Sequence, residues 1–296
     1  MNIWKTPEYY IPEVYSCDYN TRKTVGCTEQ FYQMGFLKNG VWDYYAQYQT
    51  LCKTCSFFPC YIGIYYAENK YTDNIQTKEI VVCYCKIATH EELKKFISTI
   101  SKTTKAILFN DIRVDNLDIL KDLNELECVI ISYCPKLNSF WDFERTPHLK
   151  VLKYQGNRHL VDITQIEKAV NLEYFEIDVL TSQSNLNFIQ SFEPLTKLKK
   201  LKEVVLHGVM CLDNNIDNLI NISNLEKLWI SPHTFSLDDF AKFESLKFKI
   251  FEEYGIFQNG DFSCPLGKKG RVFRSEKSKE EFKQKYYDIM SIYKKQ

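Results

Sequence analysis

Between Leu126 and Phe251 the apolar residues follow two rhythms, a short one inside each unit and a long one between units. Inside a unit they fall at relative positions 1, 4 and 6, as in Leu126, Val129 and Ile131. The spacing returns at Leu149, Leu152, Tyr154; at Leu172, Phe175, Ile177; at Leu201, Val204, Leu206; and at Leu225, Leu228, Ile230. First positions lie 23, 23, 29 and 24 residues apart, and 21 more lead to a degenerate unit at Leu246, where Lys249 takes an apolar place. Steps of 23 backwards reach Thr103, Ala106, Leu108 and then Ile80, Cys83, Cys85. Apolar residues two apart describe a strand with one face buried, and a fixed long period describes units that stack. The pattern therefore predicts one strand per unit, aligned in a parallel sheet, with the rest of each unit returning behind it.

The return segments change period. Thr89 and Glu92 have capping-box spacing, and Leu93, Phe96, Ile97 and Ile100 follow at helical intervals. Further helical returns are expected at residues 117–123, 163–170, 186–192, 216–222 and 237–243. The 29-residue unit after Leu172 carries extra material around residues 181–187, expected as a loop.

Two central units read Leu126-x-x-Val-x-Ile-x-x-Cys134-x-x-Leu137 and Leu149-x-x-Leu-x-Tyr-x-x-Asn157-x-x-Leu160. In these the chain resembles the leucine-rich-repeat family, over about residues 80–256. The resemblance implies an α/β solenoid with a parallel sheet on the concave side and helices on the convex side. It also implies that Cys134 and Asn157 bond backbone groups at the turn leaving the strand. Other units have Asp111, Leu180, Val209 and His233 at that place, so an irregular solenoid is expected. The family is defined by shape and has no common reaction. For an intracellular chain of this kind the resemblance is compatible with an adaptor, an inhibitor or an immunity protein that neutralises a toxin.

Outside the repeats the composition shifts. Residues 1–78 are non-repeating and rich in aromatics and cysteine, with a strand expected at residues 60–66. They suit a cap over the apolar end of a solenoid or a small separate module. Residues 79–256 form the solenoid, and residues 257–296 a loop and a capping helix. In that helix Ser278 and Glu281 have capping-box spacing, with Phe282, Tyr286, Ile289 and Tyr293 on one stripe. The preceding Lys268, Lys269, Arg271 and Arg274 read as a solvated basic loop.

Lys plus Arg equals Asp plus Glu at 38 each, so nothing draws the whole chain to nucleic acid or to an anionic membrane. The opening residues lack a signal-peptide pattern and no run approaches the ~20 apolar residues of a membrane span. The expectation is a soluble, cytoplasmic protein. Its eleven cysteines then read as reduced thiols, with Cys83, Cys85, Cys128, Cys134 and Cys211 serving as small buried apolar residues.

Function in such a fold belongs on strand residues that point away from the core, at positions 3, 5 and 7. The candidates are Tyr84, Phe109, Ile130, Lys153, Tyr174, Glu176, Asp178, Val205, His207, Lys227 and Trp229. Aromatic anchors among charges suit the binding of another protein. The chain's own ends are the competing occupant of that face. His207 near Asp178 and Glu176 reads as an ordinary polar neighbour, and the chain has no hydrolase, kinase, metalloprotease or phosphate-loop motif. No cofactor is expected. The alternative is a metal- or redox-dependent module in which Cys52, Cys55 and Cys60 hold a structural zinc or form a redox pair. The sequence reads as a non-enzymatic scaffold for protein binding.

Overall fold

A computed structural model of the chain describes residues 80–156, 159–179, 186–250, 271–273 and 275–294, together with short strands at residues 16–17, 24–25, 37–38, 41–42, 62–65 and 263–264. The strands of the repeats are β1 (Ile62–Tyr65), β2 (Ile80–Ile87), β3 (Ala106–Ile112), β4 (Cys128–Cys134), β5 (Val151–Gly156), β6 (Tyr174–Val179), β7 (Asn187–Ile189), β8 (Glu203–His207), β9 (Val209–Cys211) and β10 (Lys227–Ile230). β1 to β6, β8 and β10 lie side by side in chain order, each parallel to its neighbours. Strict chain order in a parallel sheet makes every connection bring the chain back to the same end of the sheet. The result is a coil. The strand expected at residues 60–66 is β1, so the sheet begins within the segment read as a cap.

Register explains why the coil is stable. Leu152 lies between Val129 and Phe175, and Tyr154 between Ile131 and Ile177, so positions 4 and 6 form continuous columns across the sheet. These residues, with Leu126, Leu149, Leu172, Leu201 and Leu225, belong to one buried cluster. The five best units therefore have the frame read from their spacing.

Upstream the frame differs by one residue. Ile107 and Phe109 oppose Val129 and Ile131 and point into the core, while Ala106 and Leu108 point outward. Phe109 packs edge-on against Phe96 at 5.6 Å. Its first position is the buried Thr104, not Thr103. The physical reason is that Ala106 to Phe109 are all apolar, so this strand has no alternation to set its frame. In β2 Val81 and Cys83 lie beside Ile107 and Phe109 and so take positions 4 and 6, two residues before the expected Cys83 and Cys85. At the other end a helix runs over Leu237–Leu246, and residues 247–250 add no strand, so the degenerate unit does not extend the sheet.

The returns are shorter than expected. The helix α1 (His90–Thr99) has the expected Thr89–Glu92 box. Behind the following strands come single 3-10 turns at Asp118–Asp122, Phe143–Arg145, Thr164–Lys168 and Glu193–Lys197. A 3-10 turn rises about 2.0 Å per residue and spans the coil's width with fewer residues than an α-helix. Residues 186–192 hold β7 rather than a helix, and β7 pairs with β9 beside the main sheet. α2 (Asp217–Ile220) and α3 (Leu237–Leu246) complete the later units. The final helix α4 (Glu276–Tyr293) starts one turn earlier than read, with Ser275 as N-cap and Ser278 as its reciprocal partner. Its buried stripe is Lys279, Phe282, Tyr286 and Met290. It packs on α3, where the Tyr286 hydroxyl donates to Glu244 at 3.0 Å and Ser245 donates to the Met290 carbonyl at 2.9 Å.

A charge ladder runs along the strand entry. Position 2 of successive units is Lys105, Glu127, Lys150, Glu173, Lys202 and Glu226, and the backbone amide of each one after Lys105 donates to the carbonyl of the one before. The signs alternate. Lys150 meets Glu127 at 2.7 Å and Lys202 meets Glu173 at 3.0 Å. Each partly exposed pair contributes only about 0.2–1 kcal/mol. The ladder still matters for register, since a one-unit slip would oppose like charges.

The corrected frame is testable at Phe109. Phe109→Ala is expected to lower the unfolding free energy by about 3–5 kcal/mol in a urea titration, the cost of emptying a filled core site. A loss below roughly 1 kcal/mol would show an outward-facing ring.

Candidate functional site

The sheet face turned away from the core carries two full columns. Position 3 presents Ala106, Cys128, Val151, Tyr174, Glu203 and Lys227 in register, and position 5 presents Leu108, Ile130, Lys153, Glu176, Val205 and Trp229. Gln155, Asp178 and His207 form a shorter third row. Alternation puts these side chains opposite the core columns, and the apolar ones stand apart from the core cluster.

The face is not uniformly open. Ile130 is 2% exposed and Lys153 3%, and Tyr174, Glu176 and Val205 are also buried. Towards the C-terminal edge it opens, with Asp178, His207 and Glu203 half-buried, Lys227 exposed and Trp229 36% exposed. Of the expected surface, Ile130, Lys153, Tyr174, Glu176, Asp178, Val205, His207, Lys227 and Trp229 share this face. Phe109 does not, because it is a core residue. The Tyr84 side chain lies outside the described residues, as do Cys52, Cys55 and Cys60.

A charged cluster interrupts the apolar columns. Lys153 Nζ lies 3.0 Å from Glu176 Oε2, the Tyr174 hydroxyl donates to the same oxygen, and the ammonium sits 5.7 Å from the Tyr174 ring centre. A buried pair without its partner is costly, so position matters more here than net attraction. Next to it, Lys227 reaches Glu203 at 3.7 Å. Burial pushes the Glu203 carboxyl above its ordinary range, a shift that Lys227 opposes and nearby Glu176 reinforces. Asp178 accepts from the Gln155 amide at 3.1 Å. Glu203 stands on the same face at position 3, between Tyr174 and Lys227.

Among the described residues Cys83, Cys128, Cys134 and Cys211 are buried and in no disulfide, and burial raises the Cys134 and Cys211 thiols to about 12 and also raises the Cys128 thiol. Cys134 donates to the Val114 carbonyl at 3.7 Å, the turn contact that its repeat position implies. In the last unit the equivalent contact falls to Thr234, which donates to the Val209 carbonyl at 2.8 Å, one residue beyond His233. Among the described residues no group of three or more His, Cys, Asp or Glu could hold a metal ion, and no helix is long and apolar enough to cross a membrane.

No protein-family model matches the sequence and no curated protein matches it. Solved structures do. An internalin of Listeria monocytogenes matches with 13% identity and a TM-score of 0.36, over 53% of this chain and 48% of that one. A leucine-rich-repeat protein of Leptospira interrogans matches with 16% identity and a TM-score of 0.41, over 54% and 38%. The Toll–Spatzle complex of Drosophila matches with 13% identity and a TM-score of 0.33, over 53% and 24%. In each case the match spans less than half of the other chain. The repeat geometry decides the fold: one parallel strand per unit, with inward residues at positions 1, 4 and 6 from Leu126 to Ile230. The chain has the leucine-rich-repeat fold.

In this leucine-rich-repeat sheet the buried pair gives a stability test. Lys153→Met leaves Glu176 buried without its cation and is expected to cost about 3–5 kcal/mol, most of which the double variant Lys153→Met/Glu176→Leu recovers. Urea midpoints of the three chains measure it; a double variant as weak as the single would show that the pair is not coupled. Glu203 gives a pH test. Its folded pKa lies above the ordinary 4.5, so it favours the folded chain below that pH, and the contribution is lost as pH rises through the raised value. Unfolding midpoints from about pH 4 to 7 should therefore fall more in the wild type than in Glu203→Gln.

Proposed function

We propose that this leucine-rich-repeat chain is a non-enzymatic protein-interaction module, and that its contact surface is the open C-terminal part of the outer sheet face. Trp229 is the anchor. The observation that carries this reading is a large ring left 36% exposed at the end of a column whose other described members are buried. Trp is the residue most often found at the energetic centre of protein interfaces. Around it Lys227, Glu203, Asp178 and His207 supply a mixed polar rim of the kind that sets partner choice. Such a rim carries both signs of charge, and the chain has no net charge, which favours a protein over nucleic acid as the partner. The role is of the adaptor, inhibitor or immunity type, and it requires no cofactor.

Capture from native lysate on tagged protein, quantified by mass spectrometry, tests this surface. Trp229→Ala is expected to reduce recovery of the partner by more than about tenfold, in line with loss of a central aromatic contact. Lys227→Glu should weaken it as well, by setting like charges beside Glu203. Both variants should keep the wild-type melting temperature. Equal recovery by all three proteins would move the contact surface elsewhere.

A further inference from the structure

Beside the main sheet, β7 and β9 form a two-stranded parallel sheet of their own, with Asn187, Phe188 and Ile189 opposite Val209, Met210 and Cys211. β9 follows β8 after Gly208, whose φ of 65° makes the corner at which the chain leaves the main sheet. Alternation divides the small sheet into two faces. Asn187, Ile189, Val209 and Cys211 are buried, whereas Phe188 is 43% exposed and Met210 lies half-buried beside it. Leu212, which alternation puts on the same face as Met210, is also exposed, and its amide still donates to the Ile189 carbonyl at 2.9 Å. On the other side the exposed Val161 of the preceding coil accepts from the Gln190 amide at 2.8 Å through its carbonyl. Single exposed apolar residues are ordinary, but here strand pairing draws four together into one patch.

Charge decides what the patch fits. The segments that build it, residues 160–163, 186–191 and 208–215, hold two carboxylates, Asp162 and Asp213, and no lysine or arginine. Each carboxylate follows an exposed apolar residue of the patch, Val161 or Leu212, and each is itself exposed. Their hydrogen-bond donors are neutral. Asp162 accepts from the Thr164 amide at 2.7 Å, and Asp213 accepts from the Cys211 thiol, the Asn215 amide and the Asn218 side chain. Neither charge is therefore balanced by a cation among the described residues. An apolar patch set between such carboxylates repels phosphate, which argues against nucleic acid or an anionic lipid surface, and attracts a cation carried beside an apolar group. We propose that the β7–β9 sheet is a second docking surface, and that it takes a segment of a partner protein in which an apolar anchor is flanked by lysine or arginine. Phe188, Met210 and Leu212 receive the anchor, and Asp162 and Asp213 pair with the flanking cations. The surface shares no residue with the strip around Trp229 and does not depend on it.

Peptide selection on the full chain tests it. A phage library of random short peptides is depleted on Phe188→Ser and then selected on the wild type at low salt, and the enriched peptides are synthesised and titrated by fluorescence anisotropy. The expected peptides carry lysine or arginine next to an apolar side chain. Their affinity should fall more than about tenfold in Leu212→Ser, which removes part of the anchor site. It should fall about threefold or more in Asp162→Asn/Asp213→Asn, which keeps the local hydrogen-bond acceptors and removes both charges, and this difference should shrink at high salt. Trp229→Ala should bind as the wild type does. All of these positions are exposed, and melting temperatures show that each variant is folded; the carboxylate double variant gives a reading even where an apolar variant melts early. No enrichment, enriched peptides without basic residues, or an unchanged affinity in the double variant would overturn the proposal. Loss of binding in Trp229→Ala would do the same, by moving the peptides to the other surface.

Discussion

The structure depends on the contact between inward side chains of successive coils. A single unit has three inward residues on one short strand and cannot shield them alone. Placed against its neighbours, Leu152 gains Val129 on one side and Phe175 on the other, and every unit from β3 to β10 repeats the arrangement. Burial of each such side chain stabilises the fold by about 1.5–3 kcal/mol, so a unit's favourable free energy exists only in the stack. This explains why a large ring such as Phe140 is tolerated: it meets Phe143 in its own coil and Tyr154 and Phe175 in the next two.

How much of this was legible in the sequence follows from the same contact. The units at Leu126, Leu149, Leu172, Leu201 and Leu225 could be read because polar residues separate their inward positions or a leucine fixes the start. Ala106-Ile-Leu-Phe109 could not be framed by pattern, since both faces of that strand are apolar. An apolar outer face is itself the signature of a sheet covered on both sides, as in parallel sheets generally. The run that hid the frame thus carried information about the cover. The returns were overestimated for a different reason. Apolar residues three apart, as at Ile163, Ile166 and Ala169, fit a 3-10 turn and an α-helix alike, and unit length decides between them.

The candidate surface was only partly legible. Alternation assigns a side chain to a face, and it did so correctly for Lys153, Glu176, Val205 and Trp229. It says nothing of what lies over that face. A lysine and a glutamate at adjacent position-5 sites look like a solvated pair in sequence, yet Lys153 and Glu176 are buried together with a tyrosine hydroxyl. The position-2 ladder was readable throughout, because its alternating signs recur with the unit, but reading for apolar positions passes over it.

The two charge systems answer different physical demands. At position 2 the lysines and glutamates stand at the flank of the sheet, partly in water, where each pair is weak and its sign serves to keep coils in order. At position 5 Lys153 and Glu176 lie under cover, where an unmatched charge would be far more costly than a matched pair is favourable. Glu203 marks the boundary between the regimes. It is buried enough for its carboxyl to be pushed upward and close enough to exposed Lys227 to keep a solvent-facing partner. The change from buried to half-buried side chains on this face therefore falls at β8.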